Sequence, residues 1–108
     1  MKKVIRDGKV AVLVSQDFGA GFSTWYYGTK EENETLMFSP EIVEMLESGK
    51  KNEITGDWIK ENLGIKDVYC GGVRDLYIEW LDVGTSFYID EYDGSESIQT
   101  NERLIYTA

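Results

Sequence analysis

Three observations predict that the chain forms one α+β domain, with an antiparallel sheet of about five to six strands and two short helices. The length of 108 residues is that of a single domain, residues 1–108. Apolar, strand-like segments separated by Asp-Gly turns occur near both ends of the sequence. Between them lie two segments that begin with helix N-cap residues and end at glycine. The predicted order is therefore a hairpin, two helices and a meander of strands.

The first predicted element is a β-hairpin from Val4 to Ser15. Its turn is Asp7-Gly8, a pair that favours a two-residue hairpin turn because both positions need positive φ. Residues Val10–Val14 are all apolar, which predicts a strand covered on both faces. Residues 16–22 contain two glycines and are predicted to form a loop.

Two short helices are predicted in the middle of the chain. Ser39-Pro40 supplies the N-cap and first-turn residue of the first helix, which ends at Gly49. Thr55 is the N-cap of the second helix, which ends at Gly64. The apolar residues of the two helices are Ile42, Val43, Met45 and Leu46, and Trp58, Ile59 and Leu63.

The second half of the sequence returns to strand patterns with turns at residues 82–85 and at Asp93-Gly94. The predicted strands are Val68–Cys70, Leu76–Leu81 and Ser86–Tyr92, followed by short final strands marked by Ile98 and Leu104–Tyr106.

The charge distribution argues against several partners. The net charge of −9 argues against general nucleic-acid binding and against docking on an anionic membrane. Residues 1–30 nevertheless carry five basic residues and two acidic ones, whereas residues 75–96 carry seven acidic residues and no basic one. An anionic small molecule is therefore expected to prefer the N-terminal segment, or a site that recruits Arg74.

The chain lacks the residues that most catalytic mechanisms and metal sites require. The chain has no His and a single cysteine, Cys70, which we interpret as a small buried residue near a strand end. Zinc, haem and iron–sulfur ligand sets and His-dependent nucleophiles are thereby excluded, and neither an enzyme nor a bound cofactor is expected. The short apolar run at the N-terminus does not resemble a signal peptide, so a cytoplasmic location is expected.

The most informative segment runs from Phe18 to Tyr27. Its glycines let the backbone present N–H groups at close range, its hydroxyls can donate to a phosphate, and its aromatic rings can stack on a nucleobase. The alternative is a tight loop whose aromatic residues fill the core. The candidate ligand-binding residues are Phe18, Gly19, Ala20, Gly21, Phe22, Ser23, Thr24, Trp25, Tyr26 and Arg74.

Two further features have competing interpretations. The guanidinium of Arg74 suits a phosphate or a guanine edge, or it forms a surface ion pair with Asp75 or Asp67. The acidic run Asp90–Glu96 is read as a charged hairpin turn, with a ligand or subunit contact as the alternative; its spacing does not match a calcium loop.

Three segments together carry a resemblance to a known group: residues 2–15, the loop Gly19–Trp25 and the tail Asp90–Ile98. They resemble a widespread group of small bacteriophage proteins over nearly the whole chain, most specifically in the loop and tail. We take this group to correspond to the phage anti-CBASS sponge proteins. The resemblance implies a homo-oligomer, a homotetramer, that sequesters a cyclic nucleotide such as cyclic GMP-AMP without cleaving it in the infected bacterial cell.

A second hypothesis comes from the acidic residues rather than from the loop. The base-free stretch Asp75–Glu96 could mimic nucleic acid and block a host DNA- or RNA-binding protein. A hydrolase that uses paired carboxylates is the third and weakest alternative.

Overall fold

The N-terminal hairpin is present as predicted in the computed structural model, which describes residues 2–100 and 106–108. Its strands are β1 (Ile5–Arg6) and β2 (Lys9–Ser15). The turn between them has positive φ angles of 52° at Asp7 and 76° at Gly8, as this turn type requires. Strand β2 also pairs with β3 (Leu76–Asp82), so it is the central strand of a three-stranded antiparallel sheet.

Strand β2 separates two hydrophobic clusters. Ala11 and Leu13 belong to a cluster that also contains the buried apolar residues of the helices, and Val10 and Val12 belong to a cluster with the second sheet. Each residue of Val10–Val14 is at most 1% exposed, which confirms the prediction of a strand covered on both faces.

The C-terminal strands form a second three-stranded antiparallel sheet. Strand β4 (Ser86–Tyr92) lies between β5 (Ser95–Gln99) and β6 (Tyr106–Thr107). The predicted turn at Asp93-Gly94 has positive φ angles of 51° and 90°. Of the predicted strand Leu104–Tyr106, only Tyr106 lies within the described residues, and it belongs to β6.

The described residues contain three α-helices: α1 (Lys30–Phe38), α2 (Pro40–Glu47) and α3 (Gly56–Leu63). Helices α2 and α3 are the two predicted ones. Ser39 and Thr55 cap them by accepting N–H hydrogen bonds at 3.1 and 3.2 Å. None of the described helices is long and apolar enough to cross a membrane. Short 3-10 helices occur at Ser23–Trp25, Lys51–Glu53 and Val73–Asp75.

Helix α1 is not among the predicted elements. Its first six residues are polar, and its buried residues are the last three, so it has no apolar stripe along its length. A capping box stabilises its start: Thr29 Oγ1 accepts from Glu32 N at 3.1 Å, and Thr29 N donates to the Glu32 carboxylate at 2.9 Å.

The α+β class and the six strands are as predicted, but the strands divide between two sheets. The predicted strand Val68–Cys70 is wrong, because this segment pairs with no strand in the described residues. Asp67 turns the chain with a φ of 62°, and Val68 is buried in the core from a loop. Cys70 is half-buried within this loop rather than near a strand end, and burial raises the pKa of its thiol.

Candidate binding site

The segment Phe18–Tyr27 connects β2 to α1 and packs against the turn between β4 and β5. The N–H of Gly19 donates to the carbonyl of Asp93 at 2.8 Å, and the Ser15 hydroxyl donates to the carbonyl of Ala20 at 3.1 Å. Gly94 lies so close that a Cβ there would be 2.7 Å from the carbonyl carbon of Gly19. The predicted loop is therefore held at close range by another part of the same chain.

The carboxylate of Glu96 accepts hydrogen bonds from the loop groups that were expected, from the sequence, to donate to a ligand. Its oxygens accept the N–H groups of Phe22 and Thr24 at 2.7 and 3.1 Å, and the Thr24 hydroxyl at 2.5 Å. The N–H of Ser15, at the end of β2, donates to the same carboxylate at 2.9 Å. Glu96 is only 2% exposed, so the loop's anion-binding groups enclose an internal carboxylate.

Glu91 lies directly opposite Glu96 across the β4–β5 pair and contacts the same segment. It accepts the indole N–H of Trp25 at 3.0 Å and the N–H of Gly94 at 2.7 Å. These two hydrogen bonds, that of Trp25 first, lower the pKa of Glu91. The Trp25 ring also stacks on Tyr69, with centroids 5.9 Å apart. Trp25 therefore joins three parts of the fold and is not a free stacking face.

The remaining predicted residues lie in different surroundings. Phe18 is 70% exposed and meets Tyr92 edge-on, with ring centroids 6.4 Å apart. Phe22 is buried in the core cluster around the helices, and Gly21 packs under the Trp25 ring. The side chain of Arg74 is exposed beside Asp75, with 4.0 Å between the charged groups. Arg74 therefore lies in a surface ion pair with Asp75, which was the alternative interpretation of this residue.

Ser23, Thr24 and Tyr26 of the predicted segment line a pocket of about 290 Å³. The pocket opens between the 3-10 helix Ser23–Trp25, helix α1 and strands β4 and β6. Three of its lining residues are tyrosines, and the described lining contains no charged side chain. The other lining residues are Asn33, Met37, Tyr88, Ile89 and Tyr106.

Ser23 is the unusual residue of this pocket. It is 1% exposed, and its hydroxyl oxygen has no hydrogen-bond partner among the described residues. Its backbone is fixed, because the Asn33 amide donates to the carbonyls of Ser23 and Tyr26 at 2.8 and 2.9 Å. A buried hydroxyl without a partner is costly, so a molecule in the pocket that reached it would supply a missing hydrogen bond.

The surroundings of the pocket contain charges of both signs. Burial and then the nearby carboxylates raise the pKa values of Tyr26, beside Glu32, and of Tyr106, beside Glu34. Both phenols are therefore protonated at neutral pH; that of Tyr26 donates to the Glu32 carboxylate at 3.4 Å, and that of Tyr106 can donate to a ligand. The ammonium of Lys30 lies 5.7 Å from the centre of the Tyr106 ring and 3.9 Å from Glu34.

The N-terminal cations do not gather around the predicted loop. Arg6 forms a two-pronged ion pair with Glu47, Lys9 lies 3.7 Å from Asp82, and Lys3 donates to the carbonyl of Thr107 at 2.7 Å. The expected preference of an anion for this third of the chain is therefore reduced by internal partners.

A second cavity of about 310 Å³ lies between the α1–α2 junction and the end of α3. Its lining includes Glu31 and Glu41 against one cation, Lys2, which makes it less suitable for an anionic ligand. In the part of the chain that the structure describes, no three side chains of the metal-binding types converge.

Comparison with protein-family models, curated proteins and solved structures gives no match to this chain. The site is therefore interpreted from its own geometry. The predicted segment contributes three residues to the pocket, while sequence reasoning missed Asn33, Tyr88, Tyr106 and the internal carboxylate Glu96. Tyr88 alternates with apolar residues on a predicted strand, and nothing in that local pattern distinguishes a pocket residue from a surface one.

Proposed function

We propose that the chain is a non-catalytic binding protein that sequesters a cyclic di- or oligonucleotide, such as cyclic GMP-AMP, with one nucleobase in the tyrosine-lined pocket. The observation that carries the proposal is this pocket, with the buried hydroxyl of Ser23, which has no partner in the described part of the chain, beside it. Its volume of about 290 Å³ is at the lower end of the range for ligand pockets, which suits one ring system with its attached sugar.

Stacking and hydrogen bonding would share the recognition of the base. Stacking on tyrosine rings contributes roughly 1–3 kcal/mol per base and tolerates different bases. The hydroxyls of Ser23 and Tyr106 would choose among them, because an unmatched polar group in a closed site is strongly penalised. A site with these groups favours a base with several acceptors.

The phosphates would lie outside the pocket near Lys30, whose ammonium is 3.9 Å from Glu34 and would contact a phosphate in its place. Because the Lys30 ammonium is already shared with Glu34, we expect binding to depend mainly on the base and to weaken only modestly with salt. This arrangement fits a protein of net charge −9 better than a site that relies on long-range attraction of an anion.

The ligand is released intact in this proposal, because the chain offers the pocket hydroxyls and amides but no histidine. The resemblance to phage sponge proteins adds the biological setting: immune evasion in the cytoplasm of an infected bacterium, by a homo-oligomer that we propose to be a tetramer.

Calorimetry against a panel of cyclic di- and trinucleotides tests this function. We expect tight binding to at least one, loss of binding in Tyr88→Ala, and unchanged binding in Tyr27→Ala, whose ring is 97% exposed outside the pocket. The ligand should be recovered chemically intact after heat denaturation of the complex. No binding to any nucleotide of the panel would exclude the sponge function, and recovery of a cleaved ligand would show that the protein is an enzyme.

A second function is supported by the exposed acidic residues. Of the seven between residues 75 and 96, Glu96 is buried while Asp82, Asp90, Glu91 and Asp93 are exposed around the β3–β4 and β4–β5 turns. We propose as the alternative that this surface mimics nucleic acid and occupies a host DNA- or RNA-binding protein. Capture of such proteins from host lysate, abolished by Asp90→Asn with Asp93→Asn, would favour it.

A further inference from the structure

Strand β3 is an edge strand of its sheet in the described part of the chain. In the β2–β3 ladder Asp82 lies opposite Lys9 and Leu76 opposite Ser15. The ladder is flanked by hydrogen bonds from Gln16 N to the Asp75 carbonyl and from Val83 N to the Gly8 carbonyl. Since antiparallel hydrogen-bonded pairs recur at every second residue, Tyr77, Glu79 and Leu81 bond to β2. The N–H and C=O groups of Ile78, Trp80 and Asp82 therefore point away from β2.

Nothing in residues 2–100 and 106–108 pairs with this edge as a strand. The N-terminal part of β3 is closed, because Leu76 is buried and its N–H donates to the carbonyl of Val73. The open part is thus the five residues Ile78–Asp82. Two of these residues, Glu79 and Asp82, are acidic and restrict which registers can pair, but the segment contains neither Lys nor Pro, the residues that most commonly protect an edge strand.

We propose that this edge pairs with the same edge of a second copy of the chain, antiparallel and centred on Trp80. A two-fold axis perpendicular to the sheet keeps each side chain on its own face, so each residue must oppose one of the same parity. Centring on Trp80 places Ile78 opposite Asp82 and Glu79 opposite Leu81. Centring on Glu79 would instead oppose two like charges directly.

The register centred on Trp80 uses the open backbone groups fully. Trp80 of each copy exchanges both of its hydrogen bonds with Trp80 of the other, and the N–H of Asp82 donates to the carbonyl of Ile78. The Asp82 carbonyl already accepts from Thr85 N at 3.1 Å and can accept a second bond. Two three-stranded sheets would thereby join into one of six strands. This pairing does not depend on nucleotide binding.

Sedimentation and light scattering of the full chain without nucleotide test the pairing. We expect an even-numbered oligomer for the wild type and for Asp82→Ala, which keeps the N–H. Asp82→Pro removes an outward N–H but no bond to β2, and it should weaken the dimer about tenfold or more, since two hydrogen bonds are lost. A wild type that is monomeric at about 100 μM would overturn the proposal.

Disulfide trapping gives a readout that does not depend on proline being tolerated. In a Cys70→Ser background, a mixture of Glu79→Cys and Leu81→Cys should cross-link, because these positions form a non-hydrogen-bonded pair with Cα atoms about 4.5 Å apart. Each variant alone should cross-link poorly, since like positions are offset by two residues. Equal cross-linking of the separate variants, or none in the mixture, would exclude this register.

Discussion

Glu96 binds Thr24 twice: its carboxylate accepts the Thr24 N–H at 3.1 Å and the Thr24 hydroxyl at 2.5 Å. With Phe22 and Ser15 as further donors, this one side chain ties the end of β2 and the segment after it to β5. The relationship explains why a loop that looks prepared for a phosphate has its donors already engaged.

Replacement of Glu96 should therefore destabilise the whole fold. Glu96→Ala leaves several donors of the loop without an acceptor, and we expect the free energy of unfolding to fall by about 3 kcal/mol or more. Urea denaturation measures it, with Asp90→Ala as the matched control because Asp90 is an exposed acid of the neighbouring strand. An unchanged urea midpoint in Glu96→Ala would contradict the anchoring role.

Removal of the Ser23 hydroxyl should lower the affinity for the ligand without lowering the stability of the fold. Ser23→Ala deletes a buried polar atom that has no partner in the described residues, so stability should stay constant or rise by up to about 1 kcal/mol. If the hydroxyl contacts the ligand as proposed, affinity should fall about tenfold. Ser95→Ala is the control: its hydroxyl donates to the carbonyl of Gln16 at 2.7 Å, so it should lose stability.

Substitution of Trp25 tests whether its ring binds the ligand or supports the fold. From the sequence alone, Trp25→Ala is expected to abolish ligand binding and leave the fold largely intact. The structure changes the expected result, since Trp25 bonds Glu91, stacks on Tyr69 and does not line the pocket. Trp25→Phe should keep the stacking, lose about 1 kcal/mol of stability through the missing N–H, and bind ligand normally. Lost binding in a stable Trp25→Phe would place the ligand at Trp25 instead.

The hydrogen bonds to Glu91 predict a dependence of stability on pH. Its pKa is lowered in the folded state, so its contribution is fully present above the ordinary value of 4.5 and is lost as the pH falls through the lower folded value. Glu91→Gln should therefore show a smaller loss of stability than the wild type between pH 5 and pH 3, a window of about two units around the ordinary pKa. Thermal unfolding at several pH values measures this difference, and parallel curves would contradict it.

The elements that sequence reasoning predicted correctly carry local signals. Asp7-Gly8 and Asp93-Gly94 form turns because their positive φ angles suit these residues, and Ser39 and Thr55 cap helices through contacts three residues away. Helix α1 was missed because its burial is confined to its last three residues. The prediction of a strand at Val68–Cys70 was wrong because an apolar residue such as Val68 can be buried in the core from a loop as well as from a strand.

The site was predictable only in part for a related reason. Ser23, Thr24 and Tyr26 were identified because neighbouring polar and aromatic residues stand out in a sequence. Asn33 and Tyr106 reach the pocket through the packing of α1 and β6, and Glu96 meets Phe22 across 74 residues. No local pattern indicates that a carboxylate in an acidic tail is buried, because its donors are backbone groups elsewhere in the chain.

The distance along the chain between Glu96 and its donors also sets an order of events during synthesis. The two strands of the hairpin around Asp7-Gly8 are close in sequence and can pair as soon as both have been synthesised. The segment that follows must wait for an acceptor 72 to 74 residues further on, so it stays unsettled until Glu96 has been translated. The late closure of this long-range contact, rather than the formation of any helix, is then expected to limit the rate of folding.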